Sequence, residues 1–203
     1  MKPKTAAAQV GRPRGFDVDE ALDRALRLFW RQGYEGTSLS DLTEHLAINR
    51  PSLYAAFGNK ESLFRKALDR YVERHLVLYR DAFARPTARA AVEHLLLGLA
   101  DAQTLPREPK GCITVQGALV SGADAAPIQG ELAARRAAGE QALRERIEQG
   151  QREGDVPAHV DCADLARYFT TVSQGMAVQA ATGASREDLR RVARTSLLAW
   201  PPA

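Results

Sequence analysis

The stretch that most constrains this 203-residue chain is residues 37–63, TSLSDLTEHLAINRPSLYAAFGNKESL. Ser38 is a good N-cap, because its hydroxyl can accept from the free amides of the next turn, and Asp41 follows three residues later in the acidic slot. Leu39, Leu42 and Leu46 fall at helical spacing and make one apolar stripe. Ala47 and Ile48 carry the chain round a turn. Asn49 offers a second N-cap, and Pro51 lies in the first turn, where its missing N–H had no partner to lose. Leu53 and Phe57 put an apolar edge on the second helix, Gly58 ends it and Asn59 can cap a third. A helix of about seven residues with Pro in its first turn is too short to be stable alone. The second element of a helix-turn-helix accounts for it, since the scaffold holds that helix for insertion into a major groove.

Leu53, Tyr54, Phe57, Lys60 and Leu63 keep the intervals Leu-Tyr-x-x-Phe-x-x-Lys-x-x-Leu. With the preceding helix and turn, this run resembles the DNA-binding signature of TetR-type repressors over residues 16–68, about a quarter of the chain. The sequence departs from that pattern at Ala47, where Gly is usual, and at Ala56, where His is common. The first departure predicts a turn without a positive φ. The second shifts DNA affinity toward Lys60 and the N-terminal arm.

Pro51, Tyr54 and Ala55 occupy one arc of the recognition helix at 100° per residue, beside the Leu53/Phe57 edge. Arg50 stands at the tip next to Asn49, where a guanidinium can bond guanine O6 and N7. Pro51 and Ala55 allow close approach or contact with a thymine methyl. Ser52, Tyr54 and Lys60 are placed to donate to phosphates, and the resemblance implies that role for Tyr54 and Lys60. Thr37 and Ser38 reach the backbone on the other side, aided by a helix N-terminus. A partly buried Tyr54 and a solvated Arg50 are the plainer alternatives. Residues 1–16 hold Lys2, Lys4, Arg12 and Arg14 and no acid. Residues 1–15 therefore read as a flexible basic arm, with Arg12 or Arg14 in a minor groove or the whole arm a solvated tail.

The rest of the chain is helical in pattern, and no strand signal, repeat or low-complexity tract interrupts it. Asp17 and Glu20 suit a capping box for a first helix, with Leu22, Ala25, Leu26, Phe29 and Trp30 on its buried side and Gly33 at its end. From Asn59 a helical pattern runs to about Ala84 and is stopped by Pro86, long enough to serve both halves of the molecule. Thr87 caps a helix through Gln103. A loop over residues 106–111 precedes a small-residue helix from Cys112 to Val120. Residues 127–150 form an Arg- and Glu-rich helix. Asp161 caps a helix to Ala181, and Ser185 with Asp188 boxes the last one. The expected fold is all-α with about nine helices: a helix-turn-helix domain over residues 16–62 and a larger effector-binding and dimerisation bundle over 63–203.

The resemblance implies that the C-terminal bundle dimerises through its last two helices and binds a small effector. The Leu165–Val178 and Leu189–Leu198 stripes are candidates for a two-fold four-helix interface, with Gly175, Ala177, Ala180 and Ala181 permitting close approach. Leu95, Leu99, Cys112, Val115, Leu119, Phe169, Val172 and Met176 are candidates to line an apolar cavity, with Gln116, Thr170 or Gln174 as polar anchors. Plain core is the alternative for each. Cys112 follows Lys110 and Gly111 at an expected helix N-terminus, where cation and dipole would lower a thiol pKa, so a redox-sensing cysteine is a second reading beside an inert one.

Other classes fit less well. The sequence has no G-x-S-x-G, Gly-rich phosphate loop, H-E-x-x-H or C-x-x-C, and its four histidines lack ligand spacing. No enzyme, cofactor or metal is therefore expected. No signal peptide or membrane span is apparent, and two distant cysteines suit the cytoplasm. The expected function is a ligand-responsive regulator, a homodimeric repressor on a palindromic double-stranded DNA operator, released by a small molecule. A helical adaptor with non-specific DNA binding and a bundle enzyme are the alternatives.

Overall fold

The computed structural model describes residues 16–118 and 122–202. The arm over residues 1–15, with Arg12 and Arg14, and the candidate pocket residue Leu119 lie outside the described residues. Among the described residues every regular element is helical. These are α1 (Val18–Gln32), α2 (Leu39–Leu46), α3 (Arg50–Phe57), α4 (Lys60–Phe83), α5 (Ala88–Ala102), α6 (Ile113–Gln116), α7 (Ala126–Arg152), α8 (Cys162–Ala181) and α9 (Arg186–Ser196). Single 3-10 turns precede α7 and follow α9.

Side-chain caps set most of the helix starts. Ser38 and Asp41 form a complete capping box on α2, as do Ser185 and Asp188 on α9. Asn49, Asn59 and Thr87 each accept from an amide three residues on, fixing the starts of α3, α4 and α5. The box expected on α1 is one-sided. Asp17 accepts from the amides of Asp19 and Glu20, but the Glu20 carboxylate turns outward to Arg24 at 2.5 Å.

Two expectations fail for local reasons. Ala47 is left-handed, with φ 55° and ψ 39°. Its amide donates to Glu44 O and the Ile48 amide to Thr43 O, both at 3.1 Å, while Ile48 packs on the core. Closing α2 in this way needs a left-handed residue between them, even without the usual glycine. Among the described residues the helix expected over residues 112–120 is a single turn, after which Gly117 O accepts from the Tyr34 amide at 2.8 Å.

Two apolar clusters lie along the molecule. The first gathers Leu26, Phe29 and Trp30 of α1, Leu42 and Leu46 of α2, Leu53 and Phe57 of α3, and Leu63 to Tyr71 of α4. It also takes Ile113 from α6 and Ile128 and Leu132 from α7. The second joins Ala82 at the end of α4 to α5, the later turns of α7, α8 and α9. Both α4 and α7 thus serve both clusters. Arg146 of α7, only 5% exposed, seals the end of α4 by donating to Phe83 O and Arg85 O. A guanidinium against helix C-terminal carbonyls also suits the macrodipole.

Charge fastens α9 to α5. Asp101 receives Arg186 at 2.6 and 2.8 Å and Arg190 at 2.8 and 2.7 Å. Arg190, then Arg186, hold its carboxyl at a pKa of about 2. A depressed carboxylate stabilises the fold above its unfolded pKa of about 4 and loses that contribution as pH falls through the folded value. The side chain is 34% exposed, so solvent screening leaves a contribution of about 1 kcal/mol. Asp101→Asn is expected to lower stability by that amount at neutral pH in urea titrations. The gap from the parent should shrink between pH about 4 and about 2. At the α2–α3 turn, Ala47→Gly should raise stability by about 0.5 kcal/mol in thermal melts, since glycine takes the left-handed region without a Cβ penalty.

Candidate DNA interface and ligand cavity

The three N-terminal helices hold α3 by its apolar edge. Leu53 and Phe57 are fully buried, whereas Arg50, Pro51, Tyr54 and Ala55 are exposed on the arc that periodicity predicts. Ser52 is half-buried. Arg50 is steadied at the tip by a 3.1 Å bond from its guanidinium to Ser40 Oγ on α2. The Asn49 carbonyl oxygen is committed to the Ser52 amide, which leaves its NH2 group to donate. Ser38 is exposed with its oxygen engaged by the Asp41 amide.

Lys60 sits in the first turn of α4 with its ammonium 4.4 Å from the centre of the Tyr34 ring. Partial burial pulls its pKa below the usual lysine value, against the pull of Glu35 and Asp41. Thr37 is a correction. Its side chain is fully buried and its hydroxyl donates to Gly33 O at 2.7 Å. It packs the α1–α2 junction and does not face outward. The motif offered no hint of this, since a threonine before a cap reads the same whether it faces in or out. Beside the motif, Arg31 donates to His45 Nε2 at 3.4 Å. Partial burial, then Arg31, lowers the His45 pKa, so the ring accepts as a neutral imidazole and the positive charge there belongs to Arg31.

A cavity of about 440 Å3 lies between the two clusters, walled by α4, α5, α6, α7 and α8. Of the expected lining, Leu95, Leu99, Cys112, Val115 and Phe169 are in place, with Thr170 and Gln174 among the polar groups. Three expectations are corrected. Met176 is 1% exposed in the second cluster. Val172 opens onto a shallow surface groove between α8 and α9. Gln116 turns away from the cavity to donate to Trp30 O and Lys110 O. Sequence reasoning missed the α4 and α7 walls, including Tyr71, His75 and Tyr79 on one side and Arg135, Arg136 and Glu140 on the other. His75 in a run of apolar positions four residues from both tyrosines was the available signal.

Cys112 loses the support that the redox reading required. The helix it begins is one turn long, and Lys110 directs its ammonium to Thr104 O and Leu105 O at 2.8 and 2.7 Å. The thiol instead accepts from the Tyr71 hydroxyl at 3.2 Å. On α8, α9 and the turn after α9, Phe169, Met176, Leu189 and Leu197 are spent on the subunit core. Tyr168, Val178, Val192 and Leu198 remain exposed, the last at 84%. Gly175 has open space around it.

Among the described residues no helix is long and apolar enough to cross a membrane. Residues 21–67 match the family described as bacterial regulatory proteins, tetR family. Residues 84–196 match the tetracyclin repressor-like C-terminal domain. The HTH-type transcriptional repressor ComR of Escherichia coli is 38% identical over 193 residues, which cover 94% of this chain and 92% of that protein. Among solved structures, a cysteine mutant of the TetR family transcriptional regulator CifR, complexed with 26-bp double-strand operator DNA, is similar with a TM-score of 0.91 at 42% identity. That match covers 94% of this chain and 100% of the other. A TetR transcriptional regulator from Rhodococcus is 45% identical with a TM-score of 0.63, covering 91% and 99%. On both its helix-turn-helix half and its C-terminal bundle, this chain belongs to the TetR family of bacterial transcriptional regulators.

Proposed function

We propose that this regulator is a cytoplasmic homodimeric repressor that binds a palindromic operator and leaves it when a small molecule enters the cavity. Its ComR relative is a transcriptional repressor, and operator DNA is the partner in the CifR complex. The observation that carries the effector part is the double use of α6. Cys112, Thr114 and Val115 line the cavity. Gln116 and Gly117, next in the chain, hold Trp30 O and the Tyr34 amide at the end of α1. A ligand that displaces α6 therefore pulls on the helix that supports the DNA-reading motif.

Dimerisation follows from what one α3 can read. Eight residues contact too few bases for useful affinity, and two copies on half-sites about 34 Å apart remedy this. The exposed Tyr168, Val178 and Val192 on α8 and α9, with Leu198 in the turn that follows, supply the self-complementary face. With the dimer fixed there, tilting α1 changes the spacing of the two α3 helices, and both can no longer enter successive grooves together.

Arg50, Pro51 and Ala55 are the base-facing set. Ser38, Asn49, Ser52, Tyr54 and Lys60 serve the phosphates, with Arg12 and Arg14 proposed to add a minor-groove contact. Selection of random duplex DNA with the purified chain should enrich a two-fold-symmetric site. Arg50→Ala should relax one base per half-site, with an affinity loss of about tenfold or more on the selected site. No enrichment at moderate salt would remove the operator reading and favour a non-specific DNA binder. Gln116→Leu cuts the tie to Trp30 O without touching the cavity wall. It should leave effector affinity nearly unchanged and raise the effector concentration needed for operator release about fivefold, measured by fluorescence anisotropy.

A further inference from the structure

The polar atoms in the cavity wall restrict the ligand more than its volume does. Gln103 is 4% exposed, and its Nε2 donates to Ser173 O at 3.3 Å. Its Oε1 is buried with no partner among the described residues. A buried acceptor left unpaired is costly, and a ligand donor would remove that cost. Across the cavity, His75 Nδ1 lies 2.8 Å from Tyr71 O. A carbonyl only accepts, so Nδ1 carries the proton. Burial lowers the His75 pKa, which favours the neutral ring, and with Nδ1 protonated Nε2 is its acceptor.

The charged groups of the wall are engaged by protein partners, with Arg135 Nε alone among their nitrogens buried and unpartnered among the described residues. Arg135 is held by Asp69 and Glu131 at 2.5 and 2.9 Å, and Glu140 by Arg167 at 3.1 Å. Arg136 donates to Thr114 O. Burial pushes the Tyr79 phenol up to about 12, so it stays neutral as well. The remaining surface is mostly apolar and includes Leu76, Leu95, Leu99 and Phe169.

Resting on the effector reading above, we propose that the ligand is an uncharged apolar ring compound bearing a hydroxyl, which donates to Gln103 Oε1 or His75 Nε2. A buried unpaired acceptor such as Gln103 Oε1 discriminates against an analogue that lacks the donor, because it then stays unsatisfied.

Naphthol, methoxynaphthalene and naphthoate separate the possibilities when titrated against the full chain by calorimetry, with operator release followed by anisotropy. Naphthol should bind about tenfold tighter than its methyl ether, the scale of one buried hydrogen bond, and naphthoate more weakly than naphthol. In Gln103→Leu the preference for naphthol over the ether should fall at least severalfold while the ether still binds. His75→Phe, which keeps a ring against Tyr71, is the second variant and should also reduce it if Gln103→Leu melts early. Equal binding of the ether in the parent overturns the inference, as does tightest binding of naphthoate, which would assign the site to Arg135 or Arg136. A preference unchanged in both variants, or no binding by any of the three, overturns it too. Release of operator by the ether or by naphthoate removes only the hydroxyl inference and leaves the effector function standing. Selective binding of naphthol without release removes the effector function and leaves the ligand chemistry.

Discussion

The bond from the Tyr34 amide to Gly117 O, at 2.8 Å, joins the end of α1 to the end of α6, and it is the backbone link between the helix-turn-helix and the α6 wall of the cavity. Gly33 makes the approach possible. Its φ is +73°, and a Cβ there would lie 3.1 Å from that same carbonyl oxygen. Around the bond are Gln116 on Trp30 O, the Glu35 carboxylate on the Gly122 amide, and Glu108 paired with Arg27 at 3.0 Å. The loops on both sides of α6 are thus clasped to α1. A shift of α6 cannot be absorbed locally without breaking backbone-directed hydrogen bonds, each worth about 1 kcal/mol.

The helix-turn-helix was legible because its signals are local. Ser38, Asn49 and Asn59 cap through amides within three residues, and Leu53 and Phe57 are buried because they sit on one edge of a two-turn helix. Ala47 differs from its pattern for a physical reason. The absence of glycine does not exclude a positive φ, because the closing bonds to Thr43 and Glu44 impose the conformation on whatever residue stands there. Thr37 was misread because a cap-proximal hydroxyl carries no sign of its direction, and only the packing of α1 against α2 turns it inward to Gly33 O.

The cavity was half legible. Tyr71 and Tyr79 fall at helical intervals with Leu68 and Leu76, and periodicity reports that a face is covered without saying whether by side chains or by a ligand. Leu76 is exposed yet lines the cavity, while Tyr71 is buried and lines it too. The α7 wall was hidden for the opposite reason. Arg135, Arg136 and Glu140 look like the solvated face of a charged helix, and only the crossing of α7 over α4 brings them to the cavity. Residues expected there, such as Met176, face the neighbouring cluster, which differs from the cavity face by a rotation too small for an apolar stripe to resolve.

These walls differ in stiffness, and the difference decides where a ligand's push goes. On one side of the cavity, α4 and α7 are tied by Arg65 to Glu131 at 2.7 Å and by Arg135 to Asp69 at 2.5 Å. Toward the other end, Arg146 clamps the last carbonyls of α4 from within α7. The α5 wall is anchored to α9 through Asp101 and packs in the second cluster with α8. Only α6 is a single turn with no side-chain cap on its first amides. A four-residue helix has no intrinsic stability, so its position is set by its tertiary contacts: Ile113 in the first core, Arg136 on Thr114 O, and the bonds to Trp30 O and the Tyr34 amide. Of the five walls it is the shortest, and those bonds join it to the end of α1. A displacement of α6 would therefore be felt by those bonds, which is the physical basis of the proposed link between the cavity and the DNA-reading half.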